Sequence, residues 1–278
     1  LSDDLSAGAG LVSLAAATAV ILDDGVTLIT QGGDLSLRSG GAFSMGVDSA
    51  LSTAGGNLAL LAGGNILLAT LDAVDGTDAT MAGDVLLVTG GTLALRHGSP
   101  ALHAGDLVIR ATGGLTAPLT TEVAGLAIEV DAGDITVNQT GDLLVTTLTN
   151  RMVREFSAQG LEALSRDLGA SGLRTGAGGG LTLSVVGDLH LQAVDAQDLG
   201  LLLSIGSGGA SLSVTGAGHD LILDGDIEVD GALTLTVAGD LTQAAGRTIA
   251  AAGDISLTAG GDVQLNALNT GATDAALA

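Results

Sequence analysis

Residues 251–269 read AAGDISLTAGGDVQLNALN, and within them GDISL at Gly253 is followed eight residues later by GDVQL at Gly261. Glycine permits the tight and often positive-φ corner, Asp or Asn suits a turn, and an apolar pair at i and i+2 shares one face of an extended strand. Each phrase therefore reads as a corner followed by a short strand. The same phrase recurs along the chain: GGDLSL at Gly32, GGNLAL at Gly55, GGNILL at Gly63, GDVLLV at Gly83, GDLVI at Gly105, GDITV at Gly133, GDLHL at Gly187 and GDIEV at Gly225.

Up-and-down hairpins favour Asn-Gly or Asp-Gly turns, whereas here Gly precedes Asp. A third, weaker apolar patch (ATMAG at Ala79, ALHAG at Ala101, TIAAAG at Thr248) completes a three-sided coil. Three sides of seven or eight residues make roughly 22 residues per turn, within the range of β-solenoid repeats. The expected fold is all-β: a parallel β-helix of about eleven coils and roughly 50 Å length, at about 4.8 Å per coil. Ile255, Leu257, Val263 and Leu265 should point inward, and Ser256 and Gln264 outward.

Composition agrees. The 278 residues are 46% hydrophobic yet only 1% aromatic, with two Phe and no Trp or Tyr, so the interior is a narrow aliphatic one built from Leu, Val, Ile and Ala. Net charge is -23, from 31 acidic residues and 8 Arg without Lys. That balance excludes nucleic acid, which needs clustered cations, and disfavours anionic lipid. With no Cys there are no disulfides or thiolate metal sites. The apolar run Leu11–Leu22 is too short to span a bilayer and follows Asp3 and Asp4 instead of a basic segment, so neither membrane insertion nor a signal peptide is expected. The chain reads as a mature product or an excised piece of something longer.

One segment breaks the repeat. Asn150 to Arg174 holds four of the eight Arg and one Phe, and Val153, Phe156, Leu161, Leu164 and Leu168 recur at roughly helical spacing. The expected organisation is therefore coils over 1–148, a helical insertion over 149–176 lying on the side of the rod, and coils continuing the same rod over 177–278. Arg151, Arg154, Arg166 and Arg174 can pair with carboxylates, and Phe156 can anchor a partner, so these five are the candidate partner-binding residues; a cover over apolar surface is the competing reading.

Catalysis by a β-helix needs converging carboxylates with basic or aromatic partners in a groove, and both partners are scarce here. No catalytic residue is assigned. His190 alternates outward between Leu189 and Leu191, His219 sits in a turn, and His97 and His103 flank a Ser-Pro corner; all four read as solvent-facing. The Gly runs at 176–180 and 206–209 lack the Lys of a phosphate loop. Calcium is the candidate ion: Asp72, Asp75 and Asp78 in one segment, and Asp224 and Asp226, with Asp220 and Asp230, in another, cluster oxygen donors. Neither segment forms a known calcium loop, and corner-capping Asp accounts for both.

The phrases GGDLSL, GDISLTAGGDVQL and GDLVIRATGGL resemble the degenerate repeats of filamentous haemagglutinin-type exoproteins and other large bacterial β-helical adhesins, over nearly the whole chain except residues 149–176. The resemblance implies a right-handed parallel β-helix, secretion or display at the bacterial cell surface, and a non-enzymatic role as an adhesin stalk or filament element. The partners it implies are a host-cell or sister-cell surface, or other copies stacked head to tail. The alternative is a carbohydrate-active β-helix enzyme or polysaccharide-binding module.

Overall fold

The computed structural model describes residues 1–76, 78–96, 102–149, 153–157, 160–164, 168–193, 201–271 and 275–277, with backbone only at 78–81, 153–157, 160–164 and 275–277. It is all-β, a parallel β-solenoid of about ten turns, and the described residues contain no helix. Two compact units divide the chain, the first comprising residues 1–123 and 149–169, the second residues 124–148 and 170–278.

In the first unit each coil contributes three strands to three stacked faces. Val12–Ala16, Leu35–Ser39, Leu58–Ala62, Val85–Thr89 and the second half of Leu102–Ala111 pair in parallel, so that Leu35, Leu58, Val85 and Leu107 lie in one row. A second face stacks Val20–Leu22, Phe43–Met45, Ile66–Leu68 and Leu93–Leu95. A third stacks Leu5–Ala7, Thr27–Thr30, Ala50–Ser52 and Thr70–Asp72. Leu35 meets Leu58 after 23 residues, but Leu58 meets Val85 only after 27. The excess is an antiparallel hairpin, Val74–Asp75 against Asp78–Ala82, looped out at a corner.

The second unit repeats the plan. Ile135–Thr140, Leu181–Val186, Ala210–Thr215, Leu233–Val237 and Ile255–Ala259 form one face. Leu143–Leu148, Leu189–Gln192, Leu221–Asp224 and Leu241–Gln243 form the next. Leu173–Arg174, Leu201–Ile205, Asp226–Val229 and Ile249–Ala251 form the third.

The interior is the dry aliphatic column that the composition predicts. Leu35, Leu58, Val85 and Leu107 are buried, as are Leu183, Leu212, Leu235 and Leu257 in the second unit. Burying each such side chain contributes about 1.5–3 kcal/mol before entropy is subtracted, which is why stacked coils hold where one alone does not. The buried Gln243 is satisfied locally: it donates to the carbonyls of Arg247 (2.8 Å) and Ala267 (3.1 Å) and accepts from the N–H of Asn266 at 2.7 Å. Ile255 and Leu257 point inward as expected. Val263, aligned with the buried Leu241, is nonetheless 40% exposed, because no described strand pairs with the far side of Val263–Gln264.

Residues 149–176 correct the expected helical insertion. Val153–Ser157 and Gly160–Leu164 form an antiparallel hairpin, which belongs to the first unit and lies alongside Val12–Ala16 and Leu35–Ser39. Phe156 stands opposite Leu161, and Val153 opposite Leu164. Four of the five apolar residues that mimic a helical period, Val153, Phe156, Leu161 and Leu164, are cross-strand neighbours. The solenoid resumes at Ala170–Ser171, which pairs antiparallel with Leu148 and Thr147, so the insertion is shorter than expected.

Candidate functional site

The Gly-Asp corner carries the distinctive chemistry of the chain. Its glycine is needed because successive coils touch there: a Cβ on Gly33 would lie against the carbonyl of Gly10, one on Gly56 against that of Gly33, and one on Gly83 against that of Gly56. The following Asp or Asn turns its side chain along the stack and accepts the N–H of the residue one coil on. In the first unit Asp34 accepts from Asn57 (3.0 Å), Asn57 from Asp84 (2.9 Å) and Asp84 from Asp106 (3.1 Å).

In the second unit this ladder is wholly acidic. Asp142 accepts the N–H of Asp188 at 2.9 Å, Asp188 that of Asp220 at 3.0 Å, Asp220 that of Asp240 at 2.7 Å and Asp240 that of Asp262 at 2.7 Å. Five carboxylates thus run down one corner. The imidazole of His219 joins them, its Nδ1 at 3.0 Å from Asp188 Oδ1, and so acts as the donor. The N–H of Asp220, and after it His219, hold the Asp188 carboxyl below the usual carboxylate range.

Ligand-type atoms of Asp142, Asp188 and His219 all lie within 4.8 Å of one another. Two carboxylates and one imidazole are not the all-oxygen shell that calcium takes, and the Asp142 and Asp188 carboxylates already accept backbone N–H groups of the ladder. This trio was not among the sequence candidates. Its members lie 46 and 31 positions apart, and only the coil register brings them together.

The calcium candidates are distributed differently. Asp72 ends a strand and accepts the N–H of Val74 at 3.0 Å, while Asp75 and Asp78 face each other across the corner hairpin. The Asp78 side chain lies outside the described residues. Asp224 binds His190 Nε2 at 2.7 Å. Asp226 accepts the N–H of Thr248 at 2.7 Å and lies 4.0 Å from the Arg247 guanidinium. An open depression of about 430 Å³ is lined by Gln31, Gly32, Ala54, Gly55 and Asp75, whose carboxylate is the single one among the described lining residues.

Among the partner-binding candidates, Arg151 and Arg166 lie outside the described residues, and Arg154 and Phe156 are described by backbone alone, in the first strand of the hairpin. Arg174 is an internal brace: its guanidinium donates to the carbonyls of Ser171 (2.9 Å) and Leu201 (3.0 Å). The histidines are more engaged than solvent-facing residues need be. His190 and His219 have the Asp partners given above, and His103 lies 3.6 Å from Glu122. His97 lies outside the described residues.

No family model, curated protein or solved structure matches the chain. The fold defines its class as a parallel β-solenoid.

Proposed function

We propose that the chain is a non-enzymatic structural or adhesive region of a secreted or surface-displayed bacterial protein, an adhesin stalk or extracellular filament element. The observation that carries this reading is the use made of the corner carboxylates. Each ladder Asp spends an oxygen on the next coil's backbone N–H, so acidic residues that would do chemistry in an enzyme here join coil to coil. The resemblance of the Gly-Asp-apolar repeats to filamentous haemagglutinin-type exoproteins supports the same reading. The partners proposed are a host-cell or sister-cell surface, or further copies stacked end to end.

The test pairs attachment with cleavage. Beads coated with the full chain are exposed to bacterial and animal cells, and the soluble chain is incubated with a panel of acidic and neutral polysaccharides. Cell attachment without new reducing ends or unsaturated products is the expected result. Cleavage that disappears in Asp142→Asn or Asp188→Asn would replace this reading with the enzymatic one.

A further inference from the structure

The hairpin at 153–164 is joined to the first unit differently from the coils it lies on. The coil strands run in parallel ladders, each hydrogen-bonded to the strand one turn away. Val153–Ser157 and Gly160–Leu164 instead form a two-stranded sheet of their own, and no other described strand pairs with either. A lone two-stranded sheet is marginal in water, so its place on the coil face keeps it formed. There its first strand lies alongside Val12–Ala16 and Leu35–Ser39. Its own register adds a weakness at the centre: Glu155 stands opposite Glu162, and like charges directly opposite destabilise an antiparallel pair.

The covered face carries a second sign. Leu35 and Leu37 point inward and are buried, so Ser36 between them points out of the coil, yet it is only 2% exposed. Its hydroxyl has no hydrogen-bond partner, and among the described residues it is the one buried side-chain polar atom in that condition. Other hydroxyls of the same unit are satisfied: Ser39 Oγ donates to the carbonyl of Gly41 at 2.7 Å, and Ser49 Oγ to that of Gly46 at 2.8 Å. A hydroxyl stripped of water and given no partner destabilises the closed state. Lifting the cover returns it to water and removes that penalty. A cover that never opens would be better served by an apolar residue here, such as the same row has at Ala59 and Leu86.

We propose that the hairpin is a releasable strap: Val153–Ser157 and Gly160–Leu164 leave the face of Val12–Ala16 and Leu35–Ser39 together and close on it again, while the coils beneath stay folded. Opening breaks no described ladder of the solenoid, lets Glu155 and Glu162 separate, and hydrates Ser36 Oγ. An element tied on so weakly opens at a free energy well below that of global unfolding. The first unit thus has a covered and a bare form of one face, and this holds whether or not the chain serves attachment.

The test is thiol labelling of the full chain, which has no Cys, so an introduced thiol is unique. Ser36→Cys exchanges the unpartnered hydroxyl for a thiol of similar shape. Val85→Cys places one in the fully buried interior of the same unit, and Ser256→Cys places one at an exposed outward position. Reaction with N-ethylmaleimide is followed by mass spectrometry at urea concentrations below the unfolding transition. Ser36→Cys should react about tenfold or more slower than Ser256→Cys and about tenfold or more faster than Val85→Cys. Its rate should also depend only weakly on urea, because local opening exposes little surface. Reaction as fast as that of Ser256→Cys shows a face that is never closed, and overturns the proposal. A rate and a urea dependence equal to those of Val85→Cys show a face that opens only when the whole unit unfolds, and overturn it equally. If circular dichroism shows that Ser36→Cys does not fold, Ala59→Cys, its neighbour in the same row, takes its place with the same outcomes.

Discussion

The backbone N–H of Asp240 donates to the carboxylate of Asp220 over 2.7 Å, and that carboxylate belongs to the preceding coil. The corner is thereby stapled without a covalent bond. Asp220→Ala leaves the N–H without its acceptor and should cost about 1 kcal/mol, whereas Asp220→Asn keeps an acceptor oxygen and should cost much less. Asn57 already fills this role in the first unit. Urea melts of the two variants check it, and equal losses would show that the charge matters and the hydrogen bond does not.

Asp188 gives the ladder a pH dependence. Its carboxyl is held low by the Asp220 N–H and by His219, so the folded state favours the ionised form. A depressed folded value contributes stability that is present above the ordinary Asp range, near pH 4, and is lost as pH falls through the lower folded value. Asp188→Asn retains the acceptor and removes the titration. Melting temperature scanned from pH 6 to pH 2 should fall less steeply in the variant, and parallel curves would contradict this assignment.

Glycine 56 tests the close approach of coils. Alanine there places its Cβ against the Gly33 carbonyl, whose backbone cannot retreat without breaking its own ladder. Overpacking of this kind costs about 1–3 kcal/mol. Gly76, in the corner hairpin, has open space where a Cβ would go, and Gly76→Ala should be nearly neutral. Thermal melts of the two variants make the comparison.

Alternation across a strand sets a sharper contrast. Leu235 is fully buried, and Leu235→Ala should cost about 2–5 kcal/mol, whereas Thr242→Ala on the outside of a neighbouring strand should stay within about 0.5 kcal/mol. Similar midpoints in denaturant would refute the inward and outward assignment.

The hairpin at 153–164 concerns a face that is buried where it ought to be wet. Ser36, Ala59, Leu86 and Val108 share the outward row of the first unit, yet all four are buried, Val108 completely. The hairpin lies alongside two strands of that face. Replacing residues 150–169 with a short Gly-Ser linker should lower the melting temperature and raise the binding of a hydrophobic dye. An unchanged melt would leave the hairpin as an ornament and restore the recognition reading.

How much of this was legible depends on distance along the chain. Strand identity and facing are local, so Gly-Asp followed by alternating apolar residues announced Ile255, Leu257 and Leu189 as core. The ladder partners were hidden because coil length is not constant: Leu233 meets Ile255 after 22 residues, but Ile135 meets Leu181 only after 46. Asp142, Asp188 and His219 therefore carry no common spacing. The hairpin is hidden in the sequence for a different reason. Val153, Phe156, Leu161 and Leu164 fit a helical stripe and a two-stranded pairing equally well, and Gly160 serves as a helix break or as the start of a returning strand.

The 46-residue step from Ile135 to Leu181 shows the solenoid tolerating extra chain at a corner without loss of register. The converse holds for the gene. A tandem duplication or deletion that adds or removes one full coil delivers each Gly, each ladder Asp and each inward Leu to an equivalent position, whereas a change of half a coil misplaces all of them. Heritable length variation in such a protein is thus quantised in coils: the repeat that builds the fold is also the step in which recombination can lengthen or shorten it while the product still folds.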